Sequence, residues 1–173
     1  PISANSDTVA LVRRCCRAAP EMMMPEATPN ELLATPQPDL ELRTPWQVVW
    51  VGRLYPWKGI TLALNALALC DQRVQLTVVG GGPELERAQE HARGLGVADR
   101  VRFTGQIPWN DVKRELDLAR VFLFSSIRDT TGAQLLEAAA RGLPIVGIAH
   151  QGVGDYVPRD AGTIVSLSEA KEV

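Results

Sequence analysis

Two cations and two carboxylates stand out in this chain because of where they fall. Arg53 and Lys58 lie in VGRLYPWKG, residues 51–59. Asp129 and Glu137 lie in DTTGAQLLEAAARGLPIVG, residues 129–147, eight positions apart with Gly132 between them. Each string follows a short apolar run with strand character and opens a run with helical character. A guanidinium fork can hold a diphosphate through paired hydrogen bonds, and a lysine adds a compact point charge. A carboxylate offers two acceptor oxygens to the two donors of a vicinal diol. A glycine at the start of a helix lets an anion approach outward-pointing backbone amides. The ligand that matches this set is anionic and rich in hydroxyls.

Each residue also has a plainer reading. Arg53 and Lys58 could be solvated surface cations, Asp129 a loop cap and Gly132 a turn residue. Glu137 could be an exposed helix position, although its setting, LLEAAA, is apolar. The case for a site rests on the residues falling together, beside Gly52 and Gly59. GGGP at 80–83 is weaker. A dinucleotide fingerprint needs GxGxxG after the first strand, but here Leu85 holds the third place and the strand is the second. We read GGGP as a tight turn that keeps a crevice open. His150 follows a later strand and is one of only two histidines. It is given no catalytic role, and His91 reads as surface. Trp46, Trp50, Trp57 and Trp109 read as core or lip residues, and a packing role is favoured for Trp57. No cluster has metal-ligand spacing, and there is no G-x-S-x-G elbow.

The elements that must position these residues follow from the hydrophobic pattern. Strands are expected at 48–51, 74–79, 101–103, 121–124 and 144–147, with a weaker one at 163–165. Helices are expected between them: Gly59–Cys70, one entered at Pro83 and ended near Gly94 and Gly96, 108–119 and 132–141. The first has Leu62, Ala66 and Leu69 on its inward face and Cys70 in the core. Asn110 is a candidate N-cap for the third. The residues SEAKEV at the end begin a further helix. Alternating strands and helices predict an α/β fold, a doubly wound parallel sheet of Rossmann-like type. In the order 3-2-1-4-5-6 the winding reverses between the first and fourth strands, and ligands bind outside their carboxyl ends. The cationic loop follows the first of these strands and the acidic loop the fourth.

Residues 1–44 differ from the rest. Six of the 12 prolines fall between Pro20 and Pro45. A short helix near 5–17 followed by an irregular segment reads as a crossover from a domain upstream. Hydrophobic residues make up 46% of the 173 and charged residues 22%, values of a folded domain with a sizeable core. A formal net charge of −2 supplies no global field for nucleic acid. No apolar run reaches the ~18 residues of a membrane span. Cys15 and Cys16 are adjacent, which suits neither an ordinary disulfide nor a zinc pair, so reduced thiols and a cytoplasmic setting are expected.

VVWVGRLYPWKG, VVGGGPELERA, RVRFTGQIP and LLEAAARGLPIVG, in that order, resemble the carboxyl-terminal domain of the family-4, or group 1, retaining glycosyltransferases of GT-B type. The likeness runs from about Val48 to Val165. It implies that 45–173 is the domain that binds a nucleotide-sugar donor, and that 1–44 comes from a missing acceptor-binding domain. It implies catalytic roles for Asp129, Arg53 and Lys58, the two cations on the diphosphate. It places Glu137 on the ribose and the backbone amides of Gly132, Ala133 and Gln134 on phosphate and sugar. Gly52 and the DTTG loop, with Thr130 and Thr131, join the donor site. Gly105, Gln106 and Ile107 would contact the base. The family usually carries glutamate where Asp129 stands, so the carboxylate keeps its charge and loses ~1.5 Å of reach. The donor is substrate and the chemistry metal-independent, with no cofactor. The acceptor is a sugar, lipid or small molecule reached through the missing domain. Any membrane contact would be peripheral. The alternatives are a nucleotide-binding module without catalysis and an epimerase of GT-B shape.

Overall fold

In the computed structural model the described residues are 2–3, 14, 22–23, 32, 34–129, 132–149, 153, 157 and 161–166. The expected helix near 5–17 (apart from Arg14), the closing SEAKEV segment, Cys15, Cys16, Thr130, Thr131 and His150 lie outside them. A parallel pair of two-residue strands, Ile2–Ser3 and Met22–Met23, stands apart from the main sheet.

The main sheet has six parallel strands: β1 Gln47–Val51, β2 Gln75–Val79, β3 Val101–Gly105, β4 Val121–Phe124, β5 Ile145–Ala149 and β6 Gly162–Ser166. Their spatial order is 3-2-1-4-5-6, the expected doubly wound order. β1 pairs with β2 along its whole length, with Trp50 opposite Val78, and with β4 through Val48–Val121 and Val49–Phe122. Among the described residues, four α-helices lie between strands: α1 Ile60–Leu69, α2 Leu85–Gly94, α3 Trp109–Leu118 and α4 Ala133–Ala140.

The strands read as short apolar runs because both faces are covered. In β1, Val49 and Trp50 point to opposite faces, and both are buried. Trp50, Leu76 and Val78 pack with Ile60, Ala63, Leu64 and Leu67 of α1 and with Ala88 and Ala92 of α2. Val49, Phe122, Phe124 and Ile145 pack with Val112 and Leu116 of α3 and with Leu135 and Ala138 of α4. Each fully buried leucine, isoleucine or phenylalanine contributes about 1.5–3 kcal/mol relative to exposure.

Four local expectations are corrected. Leu62, Ala66 and Leu69 do not face the core. Leu62 is 43% and Leu69 90% exposed, and the buried face of α1 is Ile60, Ala63, Leu64 and Leu67. ITLALNALAL is apolar almost all round, so periodicity could not choose the face, and the crossover onto β2 did. Cys70, just past the end of α1, is exposed. Pro83 precedes α2, whose cap is Glu84, because a turn from the Gly82 carbonyl to the Leu85 amide occupies Pro83. Asn110 lies inside α3. Pro108 is the cap residue, and its carbonyl accepts the amides of Asp111 and Val112 at 3.0 and 3.1 Å. The corrected face of α1 makes a direct prediction. Leu69→Gln and Cys70→Ser should each change unfolding free energy by less than ~0.5 kcal/mol in urea titration. A loss above ~2 kcal/mol for either would restore the inward assignment.

Two buried arginines hold Leu32 and residues 35–43 against the helix ends. Arg141 is 1% exposed. Its guanidinium donates to Asp117 Oδ1 at 2.6 Å and to the carbonyls of Leu32, Thr35 and Pro36 at 3.3, 2.9 and 2.9 Å. Arg43 donates to the carbonyls of Leu116 and Ala119 at 3.1 and 2.8 Å and to that of Arg141. It thereby satisfies carbonyls that α3 and α4 leave open at their carboxyl ends. Burial lowers the pKa of Arg43, and the nearby Asp117 opposes that shift. Among the described residues no helix is long and apolar enough to cross a membrane.

Candidate functional site

The loop after β1 is set by its neighbour. The Gly52 amide donates to the Val79 carbonyl and the Leu54 amide to the Gly81 carbonyl, both at 3.0 Å, and the Glu84 amide returns to the Leu54 carbonyl at 3.1 Å. The β2 loop lies so close that a Cβ on Gly80 would stand 1.9 Å from the Gly52 carbonyl oxygen, and Gly80 has φ of +129°. GGGP is thus a tight turn, as expected, and glycine is required for the approach of two backbones. On its far side the Gly80 amide donates to the Gly105 carbonyl at 2.9 Å. The segment Gly105–Ile107 therefore borders the same loop cluster. Gln106 is exposed and Ile107 half-buried against the core.

The loop after β4 meets the β1 loop from the other side. The Ile127 amide donates to the Trp57 carbonyl at 2.9 Å. The Ser126 hydroxyl lies 3.3 and 3.2 Å from the carbonyls of Trp57 and Arg128, and it can donate to one at a time. The Ser125 hydroxyl donates to the Lys58 carbonyl at 3.2 Å and accepts from Trp50 Nε1 at 3.0 Å. These contacts bring the opposite charges together. Lys58 Nζ forms an ion pair with Asp129 Oδ2. Both side chains are largely covered, at 17% and 15% exposure, so Lys58 is not a solvated surface cation.

Gly132 caps α4 in a left-handed conformation, with φ of +61°. Ala133 and Gln134 open the helix half-buried, and their amides belong to the first turn, whose N–H groups have no carbonyl partner within a helix. One small cavity is lined by Trp50, Val51, Lys58, Phe124, Ser126 and Gln134, so Lys58 and the start of α4 share a wall. Gln134 Oε1 is buried, and has no hydrogen-bond partner among the described residues. Glu137 sits half-buried in α4. Arg53 is exposed, with its guanidinium 5.1 Å from the centre of the Tyr55 ring. Trp57 is 43% exposed and stacks on Tyr55, ring centres 4.7 Å apart. Trp57 thus stacks within its own loop and stays nearly half exposed, rather than packing into the core.

The structure therefore draws Gly52, Lys58, Gly105, Asp129, Gly132 and Gln134 into one cluster at the carboxyl ends of β1–β4. Sequence reasoning missed Trp50 as a partner and Ser125 and Ser126 altogether. Two serines directly after the apolar run VFLF were the available signal. Nothing in VVWV marks Trp50 as polar-bonded.

This arrangement has relatives. The model for "Glycosyl transferases group 1" matches residues 36–172. The GDP-mannose-dependent alpha-(1-6)-phosphatidylinositol monomannoside mannosyltransferase of Mycolicibacterium smegmatis is 35% identical over 139 residues, 73% of this chain and 36% of that protein. Sucrose-phosphate synthase from Thermosynechococcus elongatus superposes with a TM-score of 0.81 at 26% identity, over 98% of this chain and 46% of that one. Anabaena HepE, solved with UDP and glucose, superposes at 0.75 and 19% identity, over 95% of this chain and 48% of that one. The chain thus spans about a third of this curated relative and about half of the solved structures. With six parallel strands wound in this order and the family match covering most of the residues, the chain belongs to the group 1 glycosyl transferases, as a Rossmann-like unit of the GT-B fold.

Proposed function

We propose that this chain binds a nucleoside-diphosphate sugar at the carboxyl ends of β1 and β4, and that the protein it serves transfers the glycosyl group to an acceptor with retention of anomeric configuration. One observation carries the reading: Lys58 and Asp129 meet at the point where the winding of the sheet reverses. Open α/β sheets bind ligands there. Lys58 lies beside the first turn of α4, and a lysine next to open helix-start amides is a combination that suits a diphosphate. In the proposed reaction negative charge grows on the departing diphosphate. Lys58, Arg53 and the α4 amides oppose that charge at fixed positions. Asp129 faces the sugar, Glu137 takes the ribose hydroxyls, and Gly105–Ile107 line the base. Gly52 lets the diphosphate approach the β1 loop, and Thr130, Thr131, Gly132, Ala133 and Gln134 surround the phosphate and sugar. These cations belong to the protein, so no step is routed through a metal or other cofactor. Acceptor binding is assigned to polypeptide outside residues 45–173, with 1–44 as the crossover. This agrees with the share of the relatives that the chain covers.

A thermal-shift panel with UDP, GDP, ADP and NAD tests the reading. A ligand at about 100 times its dissociation constant stabilises the fold by ~2.7 kcal/mol. The expected result is a shift with one nucleoside diphosphate and none with NAD. A chain that responds to none, at concentrations to about 10 mM (roughly 100 times a substrate constant of ~0.1 mM), would overturn it.

A further inference from the structure

Beside the bonds from Ile127 and Ser126 to the Trp57 carbonyl, a buried hydroxyl beneath the crevice ties the loops that carry the opposite charges to the core of β1. Ser125 is the first residue after β4 and is 4% exposed. Its Oγ accepts from Trp50 Nε1 at 3.0 Å and donates to the Lys58 carbonyl at 3.2 Å. Trp50 is 2% exposed in β1, and its ring also lies under the start of the cationic loop. A Cβ on Gly52 would stand 3.1 Å from Cη2 of that ring. Next to Lys58, Gly59 has φ of +69°, and a Cβ there would stand 2.1 Å from the Ser125 carbonyl oxygen. The backbones of the two loops touch at this point.

The β1 position needs only a large apolar side chain to fill the core. An indole adds a buried N–H that costs about 1–3 kcal/mol if left without an acceptor. The acceptor it has is the same hydroxyl that grips the Lys58 carbonyl. One oxygen serves both partners only when the two loops stand at one separation. Lys58 lies on one of those loops, and Asp129 lies four residues past Ser125 on the other.

We infer that Trp50 and Ser125 are positioning residues for the charged site: through the shared hydroxyl they fix the β1 loop against the β4 loop, and so set Lys58 against Asp129 before the ligand arrives. The inference rests on the function proposed above. Neither side chain needs to touch the donor.

The test uses Ser125→Ala, Trp50→Phe, their combination and Ser125→Thr. Affinity for UDP, GDP and ADP, and for the matching nucleosides, is measured by calorimetry, with circular dichroism as the check on folding. A net hydrogen bond of about 0.5–1.5 kcal/mol predicts a loss of roughly threefold to tenfold in diphosphate affinity for each single variant. Nucleoside affinity should fall less. The double variant should bind no more weakly than Ser125→Ala, because that single change already removes both hydrogen bonds. Ser125→Thr restores the hydroxyl and should restore affinity. Ser125→Ala is the smallest change and decides the matter if the Trp50 variant unfolds. If Ser125→Ala lowers the thermal midpoint but binds the diphosphate as the unaltered chain does, the pair is structural only and the inference falls. If the unaltered chain binds no nucleoside diphosphate, the proposed function falls first and takes the inference with it.

Discussion

Replacing Lys58 by methionine should weaken nucleoside diphosphate binding by about tenfold to a hundredfold and leave nucleoside binding within about threefold. The estimate follows from a charge-assisted hydrogen bond of about 1.5–3 kcal/mol. Lys58 is the largely covered cation of the site, and its ion-pair partner Asp129 is covered as well. The variant loses a donor to phosphate and also leaves a carboxylate without its countercharge. Both effects oppose a diphosphate, and neither bears on a base or a ribose held elsewhere. Arg53→Ala should act in the same direction with a smaller effect, because Arg53 is exposed and its contribution is screened by solvent. Asp129→Asn separates the two sides of the pair. It removes the competing charge, so diphosphate affinity should be kept or raised. Equal losses for diphosphate and nucleoside in the Lys58 variant, measured by titration calorimetry, would sink the phosphate assignment.

Arg141→Met should be the most damaging change to the fold, at about 3–5 kcal/mol, or a drop of roughly 10 °C in thermal midpoint for a chain of this size. The guanidinium is 1% exposed. It meets one carboxylate, Asp117, and three carbonyls, Leu32, Thr35 and Pro36. Methionine fills much of the volume and supplies none of the donors. Asp117 keeps its contact with Lys113 at 3.5 Å and its proximity to Arg43, while the carbonyls lose their guanidinium donor. Arg141→Lys keeps the charge without the planar fork, so it should recover only part of the loss. Hydrogen exchange adds a local readout: segment 34–39 should lose protection before the sheet does. A Met variant within ~1 kcal/mol of the unaltered chain would show that these contacts offset only their own desolvation.

How much of this could be read from the residues alone differs by element. The six strands were legible because parallel strands buried on both faces are short and apolar, and Val48–Val51 and Val121–Phe124 read so directly. Their order followed from chain connectivity and the right-handed crossover. Lys58 and Asp129 were placed near each other by that order, with no side-chain geometry needed. The inward face of α1 was not legible, since Leu62, Ala66 and Leu69 are as apolar as the residues that are buried. Asn110 and Pro83 were misread by one or two positions because turns, not side-chain caps, open those helices.

By itself, then, the sequence determined which loops carry charge and at which end of the sheet they emerge, because strand alternation and winding direction are local and topological properties. Only the tertiary structure decided which cation is covered and which exposed, Lys58 against Arg53, because that depends on what the opposing loop supplies. It alone paired Trp50 with Ser125 and Arg141 with a segment about a hundred residues away. Such partners are chosen by where unsatisfied hydrogen-bonding groups meet in a packed core, and no periodicity in the chain records it.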